Sequence, residues 1–570
     1  MLWLRAVLLG VLVVCAFPAG SASATGGNLF VRWGYVVTYD QRSTESLRNF
    51  GERLDVVSPG TYAVTSQGDL IGRHNQEMAD LARANGALLI PLVANKSKYS
   101  HFHAVMRPGP LRDKVINDLV ALVDRYNYDG IHIDFEGILA SDRDNLTSFM
   151  AELWHRLSPK GKLVTIAVGA KASDIRTGWH GPYDYAALGR VTHYVVIMTY
   201  GYRSSISSIP SSTSPIEWVE DVAAFSVSQI PSEKVLLGLG FWAYDWAVGT
   251  GEEAVPWTHT EVMELAKIPG ARIEYDESVQ SPRLLYEENG RHHEVWYEDA
   301  RSVAAKTDIA RKYNMGGVAG WRLGHEDPKV WDVLDYQGPA EIPLPNGLFF
   351  TQTGRESGNG YSVVDVPNGP QFWTEFLRLG GVHTLGYPVS RSFQGFDGFY
   401  YQAFQRGMLQ WRPELGIAHL ANTFDMITDH GKEAVLQFAG VPPSIQHDGS
   451  NGDWNAARRI RLSWLSRPEI KAHFLSNPNK DQFENWNEDL SIQLYGLPSS
   501  EPVNAGPFIV QRFQRISLQL WVEDVPGMPQ KGSVVGILGG DYLKQAGLVP
   551  REAARLEPNP LVWNILETES

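Results

Sequence analysis

Cysteine is almost absent from this chain of 570 residues. The single cysteine, Cys15, lies inside an apolar run near the N-terminus. One cysteine can form neither an intramolecular disulfide nor a multi-cysteine metal site, and removal of the run would also exclude thiolate catalysis. The remaining His, Asp and Glu residues show no obvious metal-ligand spacing, so we expect no metal and no cofactor.

Positive charge is also scarce. Lys and Arg number 50 against 64 Asp and Glu, which gives a net charge of -14. This balance argues against binding of nucleic acid or anionic membrane through a general basic field and favours a neutral or polymeric partner. The 18 Trp and 23 Tyr suit sugar-stacking surfaces, although most aromatic side chains fill cores.

Long hydrophobic runs are missing except at the N-terminus. Arg5 precedes an apolar run from Ala6 to Phe17, and small residues follow up to Ala24. This pattern predicts a cleavable secretory signal at residues 1–24, with an uncleaved anchor as the alternative. We therefore expect a secreted or cell-surface protein without a membrane span after cleavage.

Short β-branched runs alternate with helical patterns between residues 25 and 336. The predicted strands are Leu29–Val37, Leu54–Val64, Leu88–Val93, Gly130–Phe135, Leu163–Val168, Tyr194–Met198, Val235–Leu239 and Gly317–Trp321. The predicted helices include Asn75–Asn85, Leu111–Tyr126, Leu146–Leu157 and Val303–Tyr313. The alternation predicts an α/β fold, a (β/α)8 TIM barrel, with a small α+β insertion at about residues 242–299. A doubly wound open sheet competes, but no glycine-rich phosphate fingerprint follows the first strand.

The composition and hydrophobic pattern of the sequence change after the predicted barrel. Residues 337–348 have the proline content of a linker, and short apolar pieces separated by Gly, Pro and Asn follow. Tyr401–Arg406 resembles Val510–Arg515, and Gly386–Pro388 resembles Gly496–Pro498 at nearly the same offset. We predict mainly β repeat modules at residues 349–422 and 479–550, a connecting region at 423–478 and a tail at 551–570.

The stretch Asp129–Glu136 contains the strongest candidates for catalytic residues. In a strand, His132, Asp134 and Glu136 share one face, and Glu136 lies last, at the rim where TIM barrels place their active sites. Cleavage of a glycosidic bond requires an acid for the leaving oxygen, and a neighbouring carboxylate can keep Glu136 protonated. A buried, hydrogen-bonded acidic strand without catalysis is the structural alternative.

This stretch resembles the Asp-Gly-x-Asp-x-Asp-x-Glu signature of family 18 glycoside hydrolases, the chitinase family. Val195–Tyr200 resembles the Met-x-Tyr motif of the sixth strand, and Gly317–Gly324 resembles the end of the eighth strand. Pro91–Asn95 and Lys234–Gly238 suit the branch of bacterial spore-cortex-lytic and germination-type enzymes.

The resemblance implies hydrolysis of β-linked N-acetylglucosamine polymers, peptidoglycan or chitin-like, by a retaining mechanism that the substrate assists. It implies Glu136 as proton donor, Asp134 as the group that stabilises the acetamido group, Tyr200 as its hydrogen-bond partner and Trp321 as the floor of the sugar site. The candidate catalytic residues are Glu136, Asp134 and Tyr200, and the candidate substrate-binding residues are Trp321, Met198, His132, Asp129, Tyr35 and Trp242.

Two positions depart from the family pattern. His132 replaces the middle aspartate, and Gly201 replaces the aspartate that commonly follows the sixth-strand tyrosine. His132 can hydrogen-bond Asp134 or Asp129, or it is a satisfied barrel histidine. Two further functions stay open: a non-catalytic sugar-binding protein, which retention of both acids argues against, and adhesion to the cell wall through the repeats.

Overall fold

The computed structural model describes residues 30–334, 336, 338–351, 358–526 and 528–561. The predicted secretory signal at residues 1–24 lies outside these ranges. No helix within them is both long enough and apolar enough to cross a membrane.

Eight parallel strands form a closed barrel in the N-terminal half of the chain. In chain order they are β1 (Val31–Val37), β2 (Val56–Val64), β3 (Leu92–Asn95), β4 (Gly130–Asp134), β5 (Leu163–Gly169), β6 (Tyr194–Met198), β7 (Val235–Gly240) and β8 (Gly317–Trp321). Each strand pairs with the next, and β8 pairs with β1, so the ring closes. The predicted TIM barrel is confirmed, and the alternative of an open sheet is wrong.

Helices cover the outside of this barrel. They span Gln41–Phe50, Gln76–Ala84, His103–Met106, Pro110–Tyr126, Arg143–Leu157, Tyr185–Arg190, Ile216–Gln229, Ala300–Lys312 and Val330–Leu334. The four helices predicted from periodicity all occur, and their ends differ from the predicted ones by at most three residues. Asn75, for example, is an N-cap whose side chain accepts from the Met78 N–H, so that helix begins one residue later than predicted.

The third predicted strand, Leu88–Val93, is divided in the structure. Leu88–Leu89 pairs with β2, and β3 begins only at Leu92. Pro91 has no backbone N–H to donate to a ladder, which explains the break. Beyond it, β3 continues to Asn95, so Asn95 lies at the carboxyl end of the strand, beside the end of β4.

The side chains of β4 alternate between two environments. Ile131 and Ile133 are fully buried in the core between strands and helices. His132 points into the barrel, where its ring lies 5.1 Å from Trp33 and 5.5 Å from Tyr35. Burial of each isoleucine is worth about 1.5–3 kcal/mol, so a shift of one residue in register is strongly disfavoured. This register fixes Asp134 on the inner face, at the carboxyl end of the strand.

A five-stranded antiparallel sheet and one helix form the predicted insertion between β7 and β8. Its strands are Ala243–Ala247, Val255–Trp257, Arg272–Asp276, Ser281–Glu288 and Arg291–Trp296, and its helix is His259–Leu265. A small core of its own holds this unit together. The α+β character of the insertion is confirmed.

Three antiparallel sheets and several short helices follow the barrel. Their strands are Glu341–Leu344, Gly347–Thr351 and Gly360–Val364; Phe393–Gln394, Tyr400–Phe404, Gly407–Arg412 and Ile417–Leu420; and Val503–Asn504, Phe508–Gln511, Leu518–Trp521 and Val534–Gly536. The helices are Phe372–Arg378, Gly381–Leu385, Thr423–Asp429, Glu433–Phe438, Trp454–Ser463, Pro468–Phe474, Glu488–Tyr495 and Gly539–Gln545. Below, repeat 1 denotes Gly386–Leu420 and repeat 2 denotes Gly496–Gly536.

The linker expected at residues 337–348 is corrected by the structure. Glu341–Leu344 is a strand that pairs with Gly347–Thr351 across a tight turn. Proline content suggested an open linker, but Pro343 stands in a strand at the edge of its sheet, where a missing N–H is tolerated. The expected tail also packs back, because Glu557 forms an antiparallel bridge with Gly360.

Repeats 1 and 2 make the same internal contacts. The Gln405 side-chain oxygen accepts from the Tyr387 N–H at 3.1 Å, and Gln514 accepts from the Leu497 N–H at 3.0 Å. In each repeat the glutamine side chain therefore links the hairpin to the Gly-x-Pro turn. The similarity seen in the sequence thus reflects shared structure.

The two repeats also complete each other. The Phe424 N–H, in the helix after repeat 1, donates to the Gln514 carbonyl of repeat 2 at 3.0 Å. The Gly540 N–H, in the helix after repeat 2, donates to the Gln405 carbonyl of repeat 1 at 3.1 Å. Each helix therefore packs on the repeat it does not follow, and one hydrophobic core contains residues of both repeats and of the connecting region.

Candidate active site

A cavity of about 730 Å³ opens at the carboxyl ends of the barrel strands. This volume lies within the range of sites that bind small molecules. Two carboxylates and a set of aromatic side chains line it: Asp134, Glu136, Tyr35, Trp179, Tyr200, Tyr202, Trp218, Trp242 and Trp321, together with Met198, Lys171 and His180. The active-site position predicted from β4 therefore coincides with this cavity.

Glu136 lies two residues beyond the end of β4, and its backbone is held by Asn95. The Asn95 Oδ1 accepts from the Glu136 N–H at 2.8 Å, and the Asn95 Nδ2 donates to the Glu136 carbonyl at 2.7 Å. The Tyr183 hydroxyl donates to the preceding carbonyl, that of Phe135, at 3.0 Å. These bonds satisfy backbone groups that have left the β ladder, and they fix the direction in which the Glu136 side chain leaves the chain.

Asp134 carries a strongly perturbed carboxyl group. Its Oδ1 is buried and has no hydrogen-bond partner among the described residues. Burial, and to a smaller extent the Glu136 carboxylate, raise the pKa of Asp134 to about 7, against the opposing effect of the Lys98 ammonium. The two carboxyl groups together therefore retain a proton at a pH where an exposed aspartate is ionised.

Tyr200 lies just beyond β6 and faces both carboxylates. Burial raises the pKa of its hydroxyl well above the ordinary value, and the Asp134 and Glu136 carboxylates add to the shift. Tyr200 is therefore a permanent hydrogen-bond donor at neutral pH. The Trp242 ring meets it edge to face at 5.2 Å, which limits the tyrosine to one orientation.

The aromatic floor is built on two paired strands that are far apart in the sequence. Tyr35 from β1 lies 5.3 Å from Trp321 at the end of β8, ring centroid to ring centroid. Flat apolar faces beside hydrogen-bonding groups suit the two sides of a pyranose ring. The cavity thus combines two carboxyl groups, a phenol donor and stacking surfaces.

The family described as Glycosyl hydrolases family 18 matches residues 34–326, just over half of the chain. The chain belongs to glycosyl hydrolase family 18. It is a glycosidase, and the matched residues contain the whole cavity described above.

Curated and solved relatives of this family 18 enzyme include proteins of spore-forming bacteria. The cortical fragment-lytic enzyme of Bacillus subtilis is 27% identical over 307 residues, which cover 51% of this chain and 70% of that protein. The solved spore cortex-lytic enzyme SleL of Bacillus cereus is 25% identical with a TM-score of 0.50, covering 54% of this chain and 74% of that one. A solved chitinase from Chromobacterium violaceum is also 25% identical, with a TM-score of 0.50 over 53% of this chain and 97% of that one.

His132 does not line the cavity of this family 18 enzyme. The Thr165 hydroxyl donates to the Ile131 carbonyl at 3.2 Å, so the histidine Nδ1–H donates to Thr165 at 2.8 Å. Its Nε2 then accepts from the Tyr35 hydroxyl at 3.0 Å. Burial lowers the pKa of His132 to about 3, so the ring is neutral. The assignment of His132 to substrate binding is corrected: it is a satisfied barrel histidine that orients Tyr35.

Asp129 was also expected in the substrate site, and the structure places it elsewhere. It precedes β4, and its carboxylate accepts from the Leu89 N–H at 2.8 Å. A strand rises about 3.3 Å per residue, so Asp129, five residues before Asp134, lies at the other end of the barrel. Asp129 ties two strands together at the end opposite the cavity.

Gly201 occupies the second position that departs from the family pattern. Its φ is +75°, and a Cβ added there would meet no atom within 4 Å. The space would accept a side chain, but the left-handed backbone disfavours aspartate. Glycine adopts this backbone conformation without strain.

Sequence reasoning missed one wall of the cavity. Trp179 and His180 follow β5 on a short turn, and Gly169 leaves room for the tryptophan, since a Cβ there would lie 2.3 Å from its ring. Lys171 is buried beside them and donates to the Tyr183 carbonyl at 2.6 Å. An aromatic residue and a histidine after the fifth strand were the only indication in the sequence.

Proposed function

We propose that this enzyme hydrolyses β-linked N-acetylglucosamine polymers of the peptidoglycan type by substrate-assisted, retaining catalysis. The observation that carries the proposal is the pairing of Glu136 at the rim with the buried carboxyl of Asp134, whose pKa is raised, in one aromatic cavity. In this class of reaction the substrate, rather than an enzyme carboxylate, supplies the nucleophile.

The chemistry proceeds in two steps. Glu136 gives its proton to the leaving glycosidic oxygen while the acetamido oxygen of the substrate attacks the anomeric carbon, and the glycosidic bond breaks. Asp134 and the Tyr200 hydroxyl hold the acetamido group as it becomes a cationic oxazolinium. The Glu136 carboxylate then takes a proton from water, whose oxygen opens the oxazolinium, so the anomeric configuration is retained and the acid is restored.

Peptidoglycan is the proposed polymer because proteins named as cortical fragment-lytic enzymes are among the relatives over the whole barrel. Chitin is the alternative substrate, since chitinases share the same fold. We also propose that the enzyme acts outside the cell, in keeping with the secretory signal expected from its N-terminal sequence.

Purified enzyme and Glu136→Gln are compared on N-acetylglucosamine oligomers and on peptidoglycan. We expect hydrolysis by the wild type, and binding without hydrolysis by the variant, because Gln keeps the shape of Glu but cannot donate the proton. NMR of the first product should show a retained anomeric configuration. Binding without hydrolysis by both proteins would instead identify a sugar-binding protein, and an inverted product would exclude the substrate-assisted route.

We further propose that the region after the barrel holds the enzyme on the polymer. Its large exposed aromatic side chains support this role: Phe396 and Phe438 are fully exposed, and Trp454 has an exposed fraction of 56%. Serine at these three positions should reduce sedimentation with insoluble peptidoglycan while leaving hydrolysis of soluble oligomers unchanged. Unaltered sedimentation would contradict the proposal.

A further inference from the structure

The loop that follows β3 packs against Gly137, the residue that follows Glu136. We call Lys96–Tyr99 the basic lip. Both lysine side chains are exposed, and within the described ranges neither makes an ion pair. The stretch from Lys96 to Arg107 contains no Asp or Glu, in a chain whose net charge is -14. Positive charge is therefore concentrated beside the catalytic acid of an acidic protein.

Hydrogen bonds hold the basic lip against the barrel. The Lys96 N–H donates to the Val64 carbonyl at 2.8 Å, and the Asn95 Nδ2 donates to the Ser97 carbonyl at 2.8 Å. The Tyr99 N–H donates to the Gly137 carbonyl at 2.5 Å. These anchors reach the ends of β2, β3 and β4, so the position of the lip relative to Glu136 is fixed by the barrel itself.

Lys98 lies directly over the residue that follows the catalytic acid. A Cβ at Gly137 would come within 3.1 Å of the Lys98 aliphatic chain, so the methylene groups rest on that glycine. The Lys98 ammonium also lowers the pKa of Asp134, which places its charge within electrostatic reach of the carboxylate pair. A substrate bound at the two carboxylates is therefore within electrostatic reach of this ammonium.

We infer that the basic lip binds carboxylate groups carried by the glycan, and that it selects a carboxylate-bearing glycan over a neutral one. This inference rests on the proposed function and specifies its substrate. A neutral N-acetylglucosamine polymer gains little from a fixed cation, whereas an anionic polymer approaching a protein of net negative charge is otherwise repelled. In peptidoglycan the carboxylates belong to the lactyl ether of alternate sugars and to the attached peptide.

The test uses the full chain and three soluble substrates: peptidoglycan fragments with free carboxylates, the same fragments with their carboxylates amidated, and N-acetylglucosamine oligomers. The readout is the ratio of kcat/KM on free to amidated fragments. We expect Lys98→Gln to lower this ratio about threefold and Lys96→Gln with Lys98→Gln about tenfold, the range of exposed charge pairs. In about 1 M salt the difference should vanish.

Lys162→Gln is the matched control. It removes the same charge from the same barrel, but Lys162 precedes β5, at the end opposite the cavity, where its Nζ donates to Asn127. Its ratio should equal that of the wild type. An equal loss on free and amidated fragments, or no loss in the double variant, would overturn the inference.

Binding measurements separate this inference from the proposed function. Calorimetry in the Glu136→Gln background gives the affinities for free and amidated fragments without any need for hydrolysis. If the wild type hydrolyses none of the substrates, the proposed function fails, and the affinity ratio with and without Lys98→Gln still decides the role of the lip. Fragments without peptide identify the carboxylate that is bound. If the lip binds the lactyl carboxylate, these fragments keep the affinity difference between free and amidated forms; if it binds the peptide carboxylates, they lose it.

Discussion

Removal of the Asn95 side-chain amide should lower kcat by releasing the backbone of Glu136, although the Glu136 side chain is unchanged. In Asn95→Ala, the Glu136 N–H and carbonyl lose partners at 2.8 and 2.7 Å. Each hydrogen bond contributes about 1 kcal/mol net, and unsatisfied half-buried groups cost more, so the held orientation of Glu136 loses about 2–3 kcal/mol. One factor of ten corresponds to about 1.4 kcal/mol, which predicts a fall in kcat of about 30- to 140-fold.

Steady-state kinetics on soluble oligomers and a thermal unfolding curve test this prediction. KM should change by less than about twofold, because Asn95 does not line the cavity. Asn95→Asp retains the acceptor for the Glu136 N–H and loses the donor, so its kcat should lie between those of Asn95→Ala and the wild type. Asn145→Ala is the control, since it removes the hydrogen bond that the Asn145 amide donates to Asp142, the N-cap residue of the same helix.

If Asn95→Ala keeps kcat within about threefold of the Asn145→Ala value, the backbone contact does not position the acid. A fall in Tm without a fall in kcat would lead to the same conclusion. Only a selective loss of kcat, restored in part by Asn95→Asp, agrees with a positioning role.

Three further predictions concern other parts of the molecule. Burial holds the pKa of His132 at about 3, while the unfolded residue titrates near 6.5, so its contribution to the free energy of unfolding falls by about 1.4 kcal/mol per pH unit as the pH drops from about 6.5 towards 3. Urea unfolding of His132→Gln should lack this pH dependence, and a slope identical to that of the wild type would contradict the prediction. Lys98 lowers the pKa of Asp134, so in Lys98→Gln the limb of the pH–rate profile that reports Asp134 should move to higher pH on neutral oligomers, and a shift to lower pH would refute the assignment. A Cβ at Gly540 would lie 1.8 Å from the Phe404 carbonyl oxygen, so Gly540→Ala should destabilise the paired repeats by about 1–3 kcal/mol while leaving soluble-oligomer hydrolysis intact; an unchanged Tm would show that this contact yields freely.

Much of the barrel could be predicted because its causes are local. Alternation in Gly130–Phe135 already separates the isoleucines from His132 and Asp134, and helix periodicity locates the outer layer to within three residues. The break at Pro91 was also available from the sequence, since proline cannot donate to a ladder. The strand at Glu341–Leu344 was not, because pairing with a neighbouring strand overrides a composition typical of linkers.

Asp134 and Glu136 were predictable from the pattern of one strand, and Tyr200 and Trp321 from the resemblance to the family. Asp134, Glu136, Tyr200 and Trp321 all line the cavity. Asp129 was assigned from its sequence neighbours, although the length of the strand removes it from the site. The bonds from Asn95 to a residue 41 positions away depend on which strands lie side by side, and no local pattern encodes that order.

The exchange of helices between the repeats has a consequence for the time at which this region can fold on the ribosome. Repeat 1 is synthesised before repeat 2, but its Gln405 carbonyl accepts from the Gly540 N–H, which is synthesised only after repeat 2. The bridge from Gly360 to Glu557 closes later still. The barrel strands need no partner from beyond Trp321 to close their ring, so the catalytic half can fold while the remainder of the chain is still being made.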